Sequence, residues 1–462
     1  MYRFNTYKSQ YVANIRLALP VVLTQVGQIL TQLADNVMVG RYGGDDALPL
    51  AAIAFGGSIA FIFLITAIGM AMGLTPLIGE LYAQGDRQKS AALLQNGILF
   101  YTLLGIATTV LQLAGIPLLY HLGQPVEVVD MALPYYRLLA YSMPFIMLFF
   151  AFKQFLEGVG NTHAELIVTV IANLMNIGLN WVFIYGHFSM PEMGATGAGL
   201  ATLLARIATP LLMIGYFCSR DRYRGYLDGF SLRNYCWKHV RTLVRIGTPI
   251  ASQMFLESSA FIGTTIMMGW LGTLAISANQ IAITVNNCAW MIVTSIGAAT
   301  TIRISHCYGA RDINQLSLAA KASYHLILAW NGFATIAFIV LRHFIPQLFT
   351  TNTEVIAITA QLMLFVALYQ LSDGLQNISV GILRGLQDVR IITPHVPDKK
   401  IAFSLTRSNY MALIKGGVKI YEYTPGFVHA KMFVADDKVA IVGTTNMDYR
   451  SFYLHFECGV AF

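Results

Sequence analysis

Charged residues are scarce in this sequence. They make up 11% of its 462 residues, whereas hydrophobic residues make up 56% and the mean hydropathy is +0.59. Soluble globular domains carry roughly 25% charged residues. A water-soluble fold of this length would need a charged surface, so the deficit excludes that class for most of the chain and indicates burial in a lipid bilayer. The net charge of +7 is explained by the placement of loops, and we expect no nucleic-acid partner.

Cysteine is scarce as well. The five cysteines are odd in number and none lies in C-x-x-C spacing. This argues against a disulfide framework and against a cysteine zinc site, and we expect no resident metal or cofactor.

The chain begins with polar residues, and the apolar stretch after them lacks a cleavage-like end. We therefore predict that this stretch is a first transmembrane helix and not a signal peptide.

Long apolar segments occupy residues 1–388. A helix needs ~20 apolar residues to cross the hydrocarbon core. Ten segments meet this requirement, near 15–39, 47–72, 91–118, 132–156, 164–186, 194–217, 244–270, 274–302, 318–345 and 357–383. The positive-inside rule then places the N-terminus and the Lys/Arg-rich 219–245 loop in the cytoplasm, and ten crossings return the chain to that side. The fold class predicted for this part is an all-α polytopic membrane bundle.

Short motifs recur at an offset of 227–229 residues. Arg16-x-x-x-Pro20 recurs as Arg245-x-x-x-Pro249, and Leu156-Glu157-Gly158 recurs as Leu383-Arg384-Gly385. Parallel repeats of even helix number are a transporter design, with the substrate path between the halves. The first copy has six predicted helices and the second has four. The predicted domains are an N-lobe (1–218), a cytoplasmic basic loop (219–243), a truncated C-lobe (244–388) and a C-terminal fragment (389–462).

Three carboxylates lie inside apolar helices: Asp35, Glu257 and Asp373. An ionisable side chain at mid-bilayer costs ~2.5–3.5 kcal/mol on insertion scales, so each suggests a function. Burial favours the neutral form of a carboxylic acid, which can then exchange a proton for a cation. A structural carboxylate bonded to a neighbouring helix is the alternative, but three in ten helices favour ion-coupled antiport.

Polar amides form a second set of candidates. Gln25, Gln28 and Gln280 lie within the apolar segments and are candidate polar residues along the substrate path. Such residues also serve as hydrogen-bonding contacts between membrane helices, so the two interpretations are close to balanced.

Several stretches of residues 1–388 carry a family resemblance. They are Ala34-Asp-Asn-Val-Met-Val-Gly-Arg41, Asn173 to Asn180 followed by Pro191-Glu-Met-Gly-Ala-Thr-Gly-Ala-Gly199, Gly247-Thr-Pro249 through Glu257, and Leu383-Arg-Gly385. They resemble the multidrug and toxic compound extrusion (MATE) family, in its NorM-like branch. The resemblance implies a monomer in the bacterial inner membrane that exchanges Na⁺ or H⁺ for cationic amphiphilic small molecules.

The same resemblance assigns roles to individual residues. It implies a C-lobe cation-coupling site at Glu257, Tyr369 and Asp373, which would be the place for a Na⁺ ion. It implies an N-lobe protonation site at Asp35, Asn176 and Asn180. The family has twelve helices, so this chain is expected to lack the last two.

The C-terminal fragment carries a different signature. Val389–Thr393, Val418–Tyr423, Val428–Val434 and Val439–Val442 read as strands and Lys400–Lys415 reads as a helix, which predicts a small α/β fragment. The pattern His429-x-Lys431-x4-Asp436-x6-Gly443-Thr-Thr-Asn446 resembles the HKD motif of the phospholipase D superfamily, with flanks similar to a bacterial cardiolipin synthase. A histidine can attack a phosphodiester, and Lys431 and Asn446 would stabilise the non-bridging oxygens. The resemblance makes Asp436 an ionised supporting residue.

Enzymes of this kind need two HKD motifs, and the sequence contains no second H-x-K. We therefore expect the half-site to be inactive unless two chains pair, and enzymatic activity stays open.

Both resemblances are incomplete and both break near Asp388, which leads to the hypothesis of a fusion of two unrelated reading frames. Three interpretations remain: a cation-coupled drug exporter, favoured by the extent of its resemblance; a membrane-tethered phosphatidyltransferase; and a non-functional fusion product.

Overall fold

The computed structural model describes residues 4–43, 48–122, 125–228, 235–270, 273–350 and 352–387, and five strand segments after them. The described residues from 4 to 387 are mostly helical. The helices are α1 (Phe4–Gly43), α2 (Leu48–Ala71), α3 (Leu74–Ala83), α4 (Arg87–Ala114), α5 (Ile116–Leu119), α6 (Val126–Tyr141), α7 (Met143–Gly158), α8 (His163–Tyr185), α9 (Gly194–Ser219), α10 (Asp221–Arg224), α11 (Trp237–Trp270), α12 (Thr273–Gly309), α13 (Ile313–Leu341) and α14 (Thr353–Leu386), with a 3₁₀ turn at Ile345–Leu348.

Nine helical stretches among the described residues are long and apolar enough to cross a membrane. They comprise α1, α2 with α3, α4, α6 with α7, α8, α9, α12, α13 and α14. The multi-pass, helical membrane architecture is therefore confirmed. The remaining predicted span, 244–270, lies in the continuous 34-residue helix α11, which also carries Arg245 and Glu257. A crossing by α11 stays a prediction.

The segment predicted to cross near 132–156 is confirmed as one candidate span, Val126–Gly158, but this span consists of two helices. Helix α6 ends at Tyr141 and α7 begins at Met143, with Ser142 between them and Pro144 in the first turn of α7. Proline lacks the N–H that would continue the preceding helix, but it suits a helix start. The division leaves Ser142 at a helix junction inside the protein.

Spatial proximity divides the chain into two compact units. The N-terminal unit contains Leu19–Leu256, and the C-terminal unit contains Met1–Ala18 and Glu257–Phe462. The core of the N-terminal unit includes Tyr101, Met147, Phe155 and Phe217. A core of the C-terminal unit includes Ile304, Ile327, Ile378 and Ile382. Helices α1 and α11 each contribute residues to both units.

The internal repeat is visible in how glycines pack in each unit. A Cβ built on Gly158 of α7 would lie 2.7 Å from Ile78 Cβ, and one built on Gly385 of α14 would lie 2.8 Å from Ile304 Cβ. The two glycines are 227 residues apart and the two isoleucines 226. Both glycines therefore permit the same close helix contact, a device common in membrane bundles.

Side-chain hydrogen bonds repeat as well. Thr75 Oγ1 donates to Gln154 O at 3.1 Å, and Thr301 Oγ1 donates to Gly381 O at 3.0 Å. A second equivalent pair comprises Thr109 Oγ1 to Ala140 O at 2.7 Å and Thr335 Oγ1 to Ala367 O at 3.2 Å. The repeat read from short motifs is thus present in the packing of α3, α4, α6 and α7 on one side and α12–α14 on the other.

The first turns of α1 are anchored within the C-terminal unit. Asn14, only 1% exposed, donates to Ser323 Oγ at 3.0 Å. Arg303 Nη1 donates to Asn14 Oδ1 at 2.7 Å and to Gln10 O at 3.0 Å. Gln10 Nε2 donates to Gln315 Oε1 at 2.8 Å. Polar side chains of α12 and α13 therefore fix the beginning of α1.

The described residues of the C-terminal fragment form five short strands: β1 (Arg390–Pro394), β2 (Lys419–Tyr423), β3 (Lys431–Ala435), β4 (Val439–Gly443) and β5 (Gly459–Ala461). They form one sheet in the order β2-β1-β3-β4-β5, with β1 parallel to β2 and the other neighbours antiparallel. The predicted helix Lys400–Lys415 lies outside the described residues. The α/β class of this fragment therefore stays a prediction.

Candidate functional site

The first candidate site lies in the N-terminal unit, where α1 meets α8. Asp35 is half-buried on α1, and Asn176 and Asn180 are buried one turn apart on α8. The Asn180 amide donates to Asp35 Oδ1, and also to Asn176 Oδ1 at 3.2 Å. The structure therefore brings together the three residues predicted for the N-lobe. Their spacing of four on α8 puts both amides on one face.

A guanidinium belongs to the same cluster, and the sequence analysis missed it. Arg206 lies in the apolar helix α9 and its Nη1 donates to Ser142 Oγ at 2.8 Å. Arg206 interacts electrostatically with Asp35 and with Tyr135 of α6. The Tyr135 ring lies against α9 at Gly199, where a Cβ would be 3.0 Å from Tyr135 Cδ2. The available signal was a lone arginine within an apolar span, which by itself suggests a function.

The second candidate site lies in the C-terminal unit. Tyr369 and Asp373 are one turn apart on α14, and Asp373 interacts electrostatically with Tyr369 and with Glu257 of α11. Glu257 also interacts electrostatically with Arg384, three turns beyond Asp373. The structure thus groups the three residues predicted for the C-lobe and adds Arg384. Two carboxylates and one guanidinium share this site.

Helix α13 contacts the part of α14 that carries the second site. Asn331 is buried, and its Nδ2 donates to Gln370 O at 2.6 Å, in the turn of α14 between Tyr369 and Asp373. The side chain of Gln370 is also buried, and within the described residues neither Gln370 Oε1, Gln370 Nε2 nor Asn331 Oδ1 has a hydrogen-bond partner. Buried amides without protein partners are the usual neighbours of ordered water.

The N-terminal unit contains a further buried ion pair that was not predicted. Lys153 Nζ lies 2.9 Å from Glu165 Oε1 and 3.8 Å from Glu157 Oε1. Glu157 occupies the position that Arg384 occupies in the second repeat. Both repeats therefore have a glycine at the helix contact, Gly158 and Gly385. The residue before this glycine is negatively charged in the first repeat (Glu157) and positively charged in the second (Arg384).

The three candidate path amides are placed differently. Gln25 is half-buried on α1, whereas Gln28 on α1 and Gln280 on α12 are exposed.

In the described part of the chain no group of three or more His, Cys, Asp or Glu side chains could hold a metal ion. A Na⁺ ion at Glu257, Tyr369 and Asp373 stays a prediction.

The HKD residues lie mostly beyond the described segments. His429, Asp436 and Asn446 are outside them. Lys431 is the first residue of β3 and pairs with Gly443, the last residue of β4. The antiparallel hairpin thus brings the Lys and Gly positions of the motif to the same end of the sheet.

The fold and the buried polar clusters can be compared with known proteins. The MatE family model matches residues 20–182 and 249–394, which is more than half of the chain. The chain belongs to the MatE family. Its relatives include the Multidrug resistance protein NorM of Vibrio parahaemolyticus, 30% identical over 84% of each chain. A Probable multidrug resistance protein NorM of Bradyrhizobium diazoefficiens is 32% identical over 84% of this chain and 83% of the relative.

A solved structure shows the same fold for this MatE chain. The eukaryotic MATE transporter AtDTX14 is 19% identical and superimposes with a TM-score of 0.74, covering 83% of this chain and 84% of that one. Residues 356–462 also match the family model of the cardiolipin synthase, PLD-like domain. Both resemblances are therefore confirmed, and the two matched segments overlap over residues 356–394.

Proposed function

We propose that this MatE protein exports cationic amphiphilic small molecules from the cell in exchange for H⁺ or Na⁺, as a monomer in the bacterial inner membrane. The observation that carries the proposal is a polar cluster with a carboxylate in each unit, one around Asp35 and one around Glu257 and Asp373. The multidrug-resistance names of the NorM relatives support it.

The charges of the C-terminal site suit reversible cation binding. When both carboxylates are ionised, Glu257, Asp373 and Arg384 leave one net negative charge, which one proton or one monovalent cation neutralises. Tyr369 adds a hydroxyl oxygen beside Asp373. Hard cations such as Na⁺ take oxygen ligands, so the pair of carboxylates and this hydroxyl would hold the ion or, in its place, the cationic group of a drug.

The proposal includes an orientation. The N-terminus, the basic loop 219–243 and the fragment 389–462 are cytoplasmic, the N-lobe comprises residues 1–218, and the truncated C-lobe comprises 244–388 with α11 as a tenth crossing. At the start of α11, Trp237 is 72% exposed and is followed by exposed Lys238 and Arg241. Exposed tryptophan next to Lys and Arg is typical of a cytoplasmic membrane interface.

Ethidium efflux from cells that express the chain tests the exporter. We expect Asp373→Asn to reduce the efflux rate at least ~10-fold, because removing an interaction worth ~1.4 kcal/mol has that effect on a rate. The matched control is Glu127→Gln, which neutralises an exposed carboxylate on α6 and should leave efflux unchanged. Unaltered efflux by Asp373→Asn would contradict the coupling role, and no efflux by the parent chain would favour a non-functional fusion.

The PLD-like match supports a second candidate function, a cardiolipin synthase-like phosphatidyltransferase with a phospholipase D-type α/β fragment. In this enzyme His429 would be the nucleophile. Lys431 and Asn446 would contact the non-bridging phosphate oxygens, and Asp436 would be an ionised supporting residue. Membranes containing the chain should then form cardiolipin from two molecules of phosphatidylglycerol with release of glycerol, and His429→Ala should abolish this. Equal cardiolipin formation by both chains would exclude the candidate.

A further inference from the structure

The connection between α9 and α11 carries an excess of cations that the proposed exporter does not use. Its described residues, 219–228 and 235–243, contain five Lys/Arg and two Asp/Glu, and all five cationic side chains are exposed. We call these five residues the basic surface: Arg220, Arg222, Arg224, Lys238 and Arg241. They belong to the N-terminal unit. A surface of one sign attracts a partner of the opposite charge.

The basic surface lies where membrane spans end. The candidate span Gly194–Ser219 ends one residue before Arg220. The candidate span Ala51–Ala83 ends one residue after Tyr82, whose hydroxyl oxygen accepts a hydrogen bond from Arg222. Residues just beyond the end of a span lie at the depth of the lipid headgroups. The cations are therefore placed within reach of phospholipid phosphates.

Exposed aromatic side chains accompany these cations. Trp237, which precedes Lys238, is 72% exposed, and Tyr235 is 37% exposed. Tryptophan and tyrosine are enriched where a membrane meets water, because their rings are apolar and their N–H or O–H groups are polar. This combination favours a lipid over a soluble anion as the partner of the basic surface.

Helix α4 holds the two ends of the connection side by side. Gln95 Nε2 donates to Tyr226 O at 3.5 Å, and the next residue, Asn96, accepts a hydrogen bond from Cys236 N at 2.8 Å. Asn96 Nδ2 also lies 3.4 Å from His239 Nδ1. Because Gln95 and Asn96 are adjacent, the segments that carry the cations of α10 and of α11 meet at the same level of α4. The five cations therefore form one surface.

The guanidinium of Arg222 is oriented by two aromatic rings. Its Nη2 donates to Tyr82 Oη at 2.5 Å, and its Cζ lies 5.9 Å from the Tyr82 ring centroid and 5.8 Å from that of Tyr223. Tyr223 is buried, and its hydroxyl accepts a hydrogen bond from Asn161 Nδ2 at 2.9 Å. A guanidinium held in this way loses little freedom when it binds, and its planar fork matches two oxygens of a phosphate.

Nearby carboxylates leave the basic surface positive. The ion pair of Arg224 with Asp221 is long, at 3.9 Å, and both side chains are mostly exposed. Such pairs contribute little, because water and salt screen them. Among the described residues, no carboxylate oxygen lies within 4 Å of the cationic nitrogens of the other four members: Arg220, Arg222, Lys238 and Arg241.

We propose that the basic surface binds the phosphate groups of anionic phospholipids, with Arg222 as its oriented phosphate ligand. The lipid connects the end of α9, α10 and the start of α11, and it reduces the repulsion among the five cations. The proposal goes beyond drug export and does not depend on it. It predicts that anionic lipid stabilises the folded protein, since a ligand that binds the folded state alone raises its stability.

A lipid titration of the purified full chain in dodecyl maltoside tests the proposal. Dioleoyl-phosphatidylglycerol should raise the melting temperature, whereas dioleoyl-phosphatidylcholine should not. We expect Arg222→Gln to weaken the apparent affinity for phosphatidylglycerol about 5-fold, because each Lys or Arg near an anionic surface contributes about that factor. Arg220→Gln, Arg222→Gln and Arg224→Gln together should weaken it ~100-fold. Added NaCl should weaken binding to the parent chain, since the contacts are exposed.

A second triple variant is the matched control. Arg41→Gln, Arg137→Gln and Arg311→Gln remove the same charge from exposed positions outside the basic surface and should keep the parent affinity. His429→Ala should keep it as well, because the basic surface does not include the HKD motif.

Two further measurements keep the test decisive if the first triple variant does not fold. Lys238→Gln with Arg241→Gln should weaken the affinity about 25-fold. Brominated phosphatidylglycerol should quench the emission of Trp237, obtained as the difference between the parent and Trp237→Phe, more strongly than brominated phosphatidylcholine at the same mole fraction.

Three results would overturn the proposal. They are an equal rise in melting temperature with phosphatidylcholine, an equal rise with inorganic phosphate alone, and parent affinity in the variants of the basic surface. None of these measurements includes a drug or an ion gradient. A chain that does not export ethidium can therefore still bind the lipid, and a chain that does not bind the lipid can still be an exporter.

Discussion

At residue 374, next to Asp373, the absence of a side chain makes room for a buried amide. A Cβ at Gly374 would overlap Asn331 Nδ2, which donates to Gln370 O in the same turn of α14. Alanine at this position would therefore displace Asn331 from its carbonyl. The backbone turn that carries Tyr369 and Asp373 would lose its support from α13.

We expect Gly374→Ala to destabilise the protein by ~1–3 kcal/mol, the usual cost of overpacking a core. Thermal unfolding in detergent measures the change. Gly332→Ala is the matched control, because it alters a helical glycine beside Asn331 whose Cβ would have no atom within 4 Å apart from its chain neighbours and the backbone of its own helix. The control should be neutral or stabilise by up to ~1 kcal/mol. Equal melting temperatures for the two variants would contradict the packing argument.

Sequence reasoning found the carboxylates and missed their cations. Asp35, Asn176 and Asn180 follow from an apolar helix with a polar face and from a family motif. Arg206 is the one charged residue in a span of small, aliphatic and aromatic residues, where nothing in the local pattern indicates which helix it faces. Its relation to Asp35 depends on how α1, α6 and α9 pack, and a single sequence does not contain that information.

At the scale of an element, the start of α4 depends on a half-buried carboxylate. Asp86 is the N-cap residue and accepts a hydrogen bond from Lys89 N at 2.9 Å, while its other oxygen lies 2.7 Å from Lys89 Nζ. The interactions with the Lys89 side chain and backbone hold the pKa of Asp86 below its ordinary value. The folded state therefore favours the ionised form of this residue.

A pH dependence follows for the start of α4. A carboxyl with a lowered pKa stabilises the folded state above its unfolded pKa of ~3.9, and this contribution is lost as the pH falls through the folded value. Asp86→Asn keeps a capping oxygen without the charge. We expect the melting temperature of the parent to exceed that of the variant at pH 6 and the two to converge near pH 3. A constant difference across this range would argue against the ion pair.

The helix breaks were predictable only in part. Nine of the ten apolar segments correspond to described helical stretches that are long and apolar enough to cross a membrane, since hydropathy depends on composition and length. The division between α6 and α7 was missed, although Pro144 signals it, because hydropathy averages over a break. Helix α11 was predicted from the apolar segment 244–270, and Pro249 lies within this uninterrupted helix.

At the scale of the whole molecule, the C-terminal fragment and the helices match different families. We expect a chain ending after Gln387 to export ethidium at the rate of the full chain, because both carboxylate clusters lie before that residue. His429→Ala in the full chain should likewise leave efflux unchanged. A loss of efflux on truncation, with the shortened chain present in the membrane at parent levels, would show that the fragment supports transport.

The fusion hypothesis concerns the region where the two matches overlap. If two unrelated reading frames were joined only during sequence assembly, amplification across codons 380–400 from source DNA should give no product of the expected length. A single continuous product would contradict assembly error and leave a genuine gene fusion. The sequence alone placed the change near Asp388 because charge density and motif identity both alter there.

The anchoring of α1 imposes an order on biosynthesis. Asn14 leaves the ribosome before Arg303, which donates to it and lies 289 residues later. At ~5–20 residues per second, about 15–60 s pass before that partner is synthesised. During this interval the amide of Asn14 has to be hydrated or held by the insertion machinery. A nascent chain arrested before α12 should therefore expose the first turns of α1 to a water-soluble labelling reagent, and one released after α13 should protect them.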